Sequence, residues 1–273
     1  MVWASLNLVD IPRRKTSPMA KAPIKEPTVK TRSLSSAARD LAFALVIAGA
    51  AQSVSAQAAT AHYQAMAPRD QYMMDKSAEM ALARSAGPSA LSSGASVLVL
   101  GPHGFETAAT GADHFTCFVE RSWDKAFDDP EFWNQKMRGP ICMNEAAART
   151  VLPMIMERAE WALAGVSRNE MAERSKTSVK AKRPPAAGAM SYMLSKDQYL
   201  SDDHGHPWYP HVMFFSPATE ESAWGADVKG SPVMSGRLTS QITLFFIPVR
   251  KWSDGTVADY GPPPSGSDDH HDH

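Results

Sequence analysis

The sequence has no strong excess of charge of either sign, no apolar stretch long enough to cross a membrane, and only two cysteines. Its 28 basic and 29 acidic side chains nearly cancel, which excludes a general nucleic-acid binder. With 44% hydrophobic residues and only 16 glycines among 273 residues, it is neither a disordered tail nor a collagen. The chain also lacks a Gly-x-Ser-x-Gly elbow, a phosphate-binding lysine loop and a dinucleotide glycine fingerprint. The composition is that of an ordinary globular protein.

The longest feature near the N-terminus is an apolar run of 11 residues, Leu41 to Ala51, which follows a basic segment. About 20 apolar residues are needed to span a bilayer, so this run predicts no stable membrane span in the mature form. Together with the small-x-small tripeptide Val54-Ser55-Ala56, it predicts a signal peptide over residues 1–56 and a periplasmic or secreted product. The alternative is a buried helix of a cytoplasmic fold. Met19 is a second possible start, which would shorten the long basic region.

Removal of residues 1–56 leaves 20 basic and 26 acidic side chains, a net charge of −6. A mature chain of this charge has no electrostatic attraction for nucleic acid or anionic lipid, and we expect neither as a partner.

The remaining chain divides into an N-terminal arm and helix (57–95), a single domain (96–256), and a tail rich in Pro, Gly, Asp and His (257–273), which we expect to be disordered. Short alternating runs separated by glycine-containing turns predict antiparallel strands. The pattern predicts an α+β fold, an antiparallel sheet of about six strands with helices inserted between two β-rich blocks and packed on one side. The six predicted strands span residues 96–100, 105–110, 114–121, 189–194, 211–216 and 241–249.

Cys117 and Cys142 are separated by about 25 residues. In an oxidising compartment an isolated pair of cysteines favours a disulfide bond, worth roughly 3 kcal/mol in the chain-entropy model. The alternative, a catalytic thiol, needs a histidine beside it. His114, the nearest in sequence, is three positions from Cys117 and would point to the opposite face of a strand.

Six of the nine histidines fall into two clusters. The first combines Asp202 with His204, His206 and His211, a donor set that suits zinc or another divalent transition metal. No His-Glu-x-x-His motif is present, and a polar loop with solvated histidines is the simpler interpretation. We therefore expect no cofactor and keep this metal site as the alternative. The second cluster, at residues 268–273, is interpreted as a solvated tail.

The segment 123–143 is aromatic and acidic, and it is broken by Pro130 and by Gly139-Pro140. We interpret it as a long ordered loop, whose aromatic side chains either form a satellite core or line a ligand groove. These side chains are Trp123, Phe127, Phe132 and Trp133.

Several segments resemble a family of secreted bacterial proteins of unknown function: VLVLGPHGFETA, CFVERSWDKAFDDPEFWNQKMRGPICMN, YMLSKDQYL, HVMFFSP, WGAD and FFIPVRKWSDGT. The resemblance implies export and assigns no activity or catalytic residue. Our leading hypothesis is a binding module for a small molecule or an envelope partner, with the aromatic acidic loop as its recognition surface. The alternative is an enzyme, a metal-dependent hydrolase or oxidoreductase centred on the histidine-rich loop.

The leader hypothesis predicts that the exported protein begins at Gln57, because cleavage is expected after Ala56. Intact-mass measurement of the protein from its native host checks this. A mature protein that retains residues 41–51 and is recovered from cytosol would contradict it.

Overall fold

In a computed structural model, which describes residues 63–202 and 209–259, the chain forms one eight-stranded sheet flanked by helices. The described residues all belong to one compact unit, Ser53–His273. The strands are β1 (Ser96–Gly101), β2 (Gly104–Ala109), β3 (Phe115–Glu120), β4 (Gly139–Asn144), β5 (Met190–Met193), β6 (His211–Pro217), β7 (Met234–Thr239) and β8 (Ile242–Pro248). The helices are α1 (Lys76–Arg84), α2 (Ser89–Ser92), α3 (Glu145–Thr150), α4 (Leu152–Leu163) and α5 (Arg168–Thr177).

The strand order across the sheet is β2-β1-β3-β4-β5-β6-β8-β7. β1 and β2 form a hairpin that turns at Gly104, whose φ of +150° glycine tolerates readily. The chain then crosses to the other edge of β1, so β3 runs parallel to β1. Every other neighbouring pair is antiparallel.

Because successive side chains of a strand point to opposite faces of the sheet, the apolar residues of β3 and β4 lie in two different layers. Phe118 of β3 and Ile141 of β4 point into the larger core, together with side chains of α3 and α4. Their neighbours Cys117, Val119 and Cys142 point into a smaller core beneath α1. The strands β3 and β4 are therefore covered on both faces, as their nearly continuous burial requires.

The predicted α+β class is confirmed, but the sheet differs from the expectation in three respects. It has eight strands instead of about six, one pair is parallel, and α1 packs on the face opposite α4 instead of on the same side. β4 lies inside the segment interpreted as a loop, because its Gly-Pro start resembles a turn. β7 was missed because its sequence, MSGRLT, has little apolar character.

The helix predicted from Pro68 onward is shorter than expected and is part of the domain. A 3-10 turn at Arg69–Tyr72 precedes α1, and the side chain of Asp75 caps α1 by accepting from the backbone N–H groups of Ser77 and Ala78. Glu79 and Ala83 on its inner face are buried against the sheet.

Cys117 and Cys142 lie directly opposite each other on β3 and β4, with their sulfur atoms 2.01 Å apart. The predicted pairing is thus present at disulfide distance. Both residues are buried, and the Ala83 carbonyl of α1 lies 3.6 Å from Cys142 Sγ. The cysteine pair joins the adjacent strands β3 and β4 where they pack against α1.

A fully buried ion pair ties α1 to the end of β3. Arg121 Nη2 donates to Glu79 Oε1 at 2.7 Å, and both side chains are about 1% exposed or less. Arg121 Nε also donates to the Tyr72 carbonyl, and Leu100 N donates to the same Glu79 oxygen. Burial lowers the pKa of Arg121, while the negative charge of Glu79 opposes that shift.

We predict that Arg121→Met destabilises the fold by about 3–5 kcal/mol, because it leaves the Glu79 carboxylate buried without its counter-ion. Adding Glu79→Gln, which keeps an acceptor for Leu100 N, should recover at least half of the loss. Urea unfolding of the two variants measures this. The control is Lys196→Ala, which removes the exposed Lys196–Asp254 pair and should leave the free energy of unfolding nearly unchanged. Equal losses for Arg121→Met and Lys196→Ala would contradict the prediction.

Candidate functional site

The strongest candidate site lies where β3 ends and the chain turns toward the aromatic acidic loop. Glu120 is the last residue of β3, and its side chain points into the layer of the larger core, since it alternates with Val119. Asp124 closes the following 3-10 turn, Ser122–Asp124, where its Oδ2 accepts from the backbone N–H of Arg121 at 3.3 Å. Two carboxyl groups thus converge on one corner of the sheet.

Arg158 of α4 supplies the positive charge nearest to these carboxyl groups. Its side chain is only 4% exposed, and its Nη1 donates to the carbonyls of Trp123, Asp124 and Lys125 at 3.1–3.4 Å. The guanidinium also lies over the Phe127 ring, 4.2 Å from the centroid. Its Nε has no hydrogen-bond partner among the described residues.

These three side chains line a cavity of about 160 Å³. Apolar side chains from the helix and from the far half of the sheet complete its wall. They are Met137, Met154, Ile155, Met213, Phe215, Leu238 and Leu244. Lys125 also reaches the wall, but its Nζ is paired with Asp129 and Glu131 at 3.6 and 3.0 Å.

A second cavity, of about 350 Å³, adjoins the first and shares Arg158 and Leu238 with it. Phe127, α5 residues such as Ala172, and residues 237–240 around the end of β7 form its wall. Lys176 and Arg237 also line this cavity. Lys176 pairs with the surface carboxylate of Glu173, and Arg237 pairs with that of Glu221. We call the cavity of about 160 Å³ the inner cavity, the cavity of about 350 Å³ the outer cavity, and the two together the pocket. Two carboxyl groups line the inner cavity, whereas Lys176 and Arg237 on the wall of the outer cavity are paired with surface carboxylates.

The surroundings of the two carboxyl groups favour their protonated forms. Burial, helped by the negative charge of Asp124, raises the pKa of Glu120 well above its ordinary value. Burial also raises the pKa of Asp124 to about 7, although the positive charge of Arg158 opposes the shift. Asp124 Oδ1 has no hydrogen-bond partner among the described residues.

The four aromatic residues proposed for a ligand groove occupy different places. Trp123, Phe132 and Trp133 are buried in the larger core itself and not in a separate satellite core. Trp133 has one edge on a separate cavity of about 340 Å³ beside the start of α5. Phe127 is half-buried and forms part of the wall shared with Arg158.

Asp202, a predicted metal ligand, is fully engaged by the protein. Its oxygens accept from the hydroxyls of Tyr63 and Tyr199, and from Lys136 Nζ at 3.1 Å. Burial works to raise the pKa of Asp202, but these hydrogen bonds outweigh it and hold the pKa well below its ordinary range. The hydrogen bond from Tyr199 to Asp202 in turn raises the pKa of Tyr199 to about 12. These hydrogen bonds join Asp202 to Tyr63 and to Lys136, which lie far from it in the sequence.

His211 lies at the start of β6 and is 8% exposed. Its Nδ1 lies 2.8 Å from the Tyr209 carbonyl, and burial lowers its pKa, which favours a neutral ring. His204 and His206 lie outside the described residues. Within residues 63–202 and 209–259, no three His, Cys, Asp or Glu side chains are grouped so as to hold a metal ion. The metal site therefore stays a prediction.

No helix in the described part of the chain has the length and apolar character of a membrane span. The chain matches no protein-family model, no curated protein and no solved structure. Evidence about the function therefore comes from the residues that line the pocket.

The sequence analysis missed the pocket residues Glu120, Asp124 and Arg158. One signal was present: Arg158 lies between Ile155 and Ala159 on the apolar stripe of α4, where a charged residue must find partners or face a cavity. The acidic residues gave no comparable signal, because acids near a turn are common.

We predict that Asp124 makes the fold less stable as the pH rises. Its folded-state pKa lies above the ordinary 3.8, so the folded protein binds this proton more tightly than the unfolded chain between about pH 4 and 7. The Asp124 contribution to the free energy of unfolding therefore falls as pH increases through that window.

Asp124→Asn should accordingly gain about 1 kcal/mol or more relative to the parent protein between about pH 5 and 8, after allowance for solvent in the cavity. Chemical denaturation of both proteins across this range measures the difference. The opposing contribution of His211 is common to both and cancels. A difference that does not vary with pH would contradict the raised pKa.

Proposed function

We propose that this chain is a binding module for a small organic molecule, which it holds in the paired cavities between β3, α4 and α5. The recognition surface is not the outer face of the aromatic acidic loop. It is the pocket beneath that loop, to which the loop contributes Asp124 and Phe127.

The observation that supports this proposal best is the state of Arg158. Its guanidinium is almost completely buried, yet Nε lacks a partner and no direct ion pair joins it to either carboxyl group. A buried polar group without a hydrogen bond costs about 1–3 kcal/mol. A ligand that offers hydrogen bonds in the cavity would remove this cost, and a protein that only needed packing would gain stability from an apolar residue here.

The composition of the wall also favours a ligand. Small-molecule sites are mostly apolar with a few convergent polar groups, and the inner cavity follows this pattern with seven apolar side chains around two carboxyl groups and a guanidinium. The outer cavity alone, at about 350 Å³, lies within the usual size range of ligand pockets.

The proposal includes export, which rests on the predicted leader and on the cysteine pair at disulfide distance, a bond found mainly in oxidising compartments. Metal-dependent catalysis is not included, because no described group of side chains favours it.

We predict that a plug in the outer cavity abolishes binding. Ala172 of α5 lines this cavity, and a tryptophan at that position should fill it. Three probes with the same ring and different head groups, benzylamine, benzyl alcohol and benzoate, are tested by ligand-observed NMR with the mature protein. At least one probe should bind the parent protein with a millimolar Kd or better and should fail to bind Ala172→Trp.

Thr177→Trp is the matched control, since Thr177 is an exposed α5 residue that lines neither cavity. Binding to this variant should equal binding to the parent protein. If no probe binds the parent, or if Ala172→Trp binds as well as the parent does, the proposed site is wrong.

A further inference from the structure

We propose that the ligand is an organic amine, whose ammonium group enters the inner cavity and lies against Glu120 and Asp124. This inference rests on the proposed function and adds the chemical class of the ligand. It follows from the charges and the unused hydrogen-bond acceptor on the wall of the inner cavity.

The charges lining the inner cavity do not balance. Two carboxyl groups face it, whereas the only cation on its wall that is not paired with other carboxylates is Arg158, since Lys125 is bound to Asp129 and Glu131. Without a further cation beside them the two carboxyl groups favour their protonated forms, and if both ionise one negative charge is left over in a largely apolar enclosure. Burying such a charge is costly, and one univalent cation would neutralise it.

The hydrogen-bonding capacity of the wall points the same way. Arg158 Nη1 already donates to three backbone carbonyls, and the Phe127 ring covers one face of the guanidinium. By contrast, Asp124 Oδ1 has no hydrogen-bond partner among the described residues, and the Glu120 carboxyl group faces the same cavity. An ammonium group offers three N–H donors on a compact charge and can satisfy both carboxylates together.

An anionic head group fits the inner cavity poorly. Arg158 Nε, which has no hydrogen-bond partner among the described residues, needs an acceptor but not a further negative charge, because two carboxyl groups already lie on the same wall. The same anion would approach Glu120 and Asp124, which repel it. A negative group at the other end of an amine ligand would instead meet Lys176 and Arg237 on the wall of the outer cavity.

The three probes introduced above test this inference when their affinities are ranked. At a pH of about 8 and low salt, benzylamine should bind the parent protein about tenfold or more tightly than benzyl alcohol or benzoate. This ranking needs no variant and so does not depend on whether a variant folds. If benzyl alcohol or benzoate binds as tightly as benzylamine, the amine inference fails while the binding site stands. If none binds, the site and the inference fail together.

The charge-neutral variants Glu120→Gln and Asp124→Asn localise the effect. Each should weaken benzylamine by about tenfold and change the affinity for benzyl alcohol by less than about threefold, since only the charged probe loses a counter-ion. Glu170→Gln, which removes an exposed carboxylate of α5 that pairs with Arg174 outside both cavities, is the matched control and should leave benzylamine binding unchanged. An equal loss for both probes in Glu120→Gln and Asp124→Asn would show a general effect of the changes on the pocket and would overturn the role of the carboxylates.

Discussion

The buried pair between Glu79 and Arg121 sets the geometry on which the candidate site depends. Arg121 directly follows β3, and its guanidinium is held by Glu79 of α1 and by the Tyr72 carbonyl. Since neighbouring residues of an extended chain point to opposite sides, fixing Arg121 toward α1 turns Glu120 toward α4. The turn that begins at Arg121 then brings Asp124 to the same corner. A stabilising contact on one face of the sheet thus positions the polar groups on the other.

The two faces of the sheet differ in how closely their side chains are packed. Beneath α1, the smaller core holds the cysteine pair and small side chains packed closely against β3 and β4. Beneath α4, the larger core is dense near β3 and β4 but opens toward β6, β7 and β8, where the inner cavity lies. The inner cavity at this boundary has closely packed strands on one side and open space on the other. The close packing matters because a buried carboxylate needs fixed neighbours to hold its charge.

The sequence predicted those features that depend on local pattern. The alternating strands 96–100 and 211–216 lie close to the predicted positions, because side-chain alternation acts within a few residues. Strand β4 was missed since its Gly-Pro start carries a turn signal, and tertiary pairing with Cys117 and its neighbours overrides that signal. The aromatic loop was interpreted by composition alone, which does not tell a core side chain from a groove wall.

The amino-acid sequence by itself determined the class of the fold, the positions of most strands and the pairing of the two cysteines. Each of these follows from short-range preferences or from the small number of candidates, since two cysteines allow one pairing. Only the tertiary structure decided that α1 covers the second face, that Arg121 has a buried counter-ion, and that Glu120, Asp124 and Arg158 meet at one cavity. The pair of Glu79 with Arg121 and the approach of Arg158 to Asp124 join residues more than 30 positions apart, and their energies come from burial and charge at close range, which no local pattern encodes.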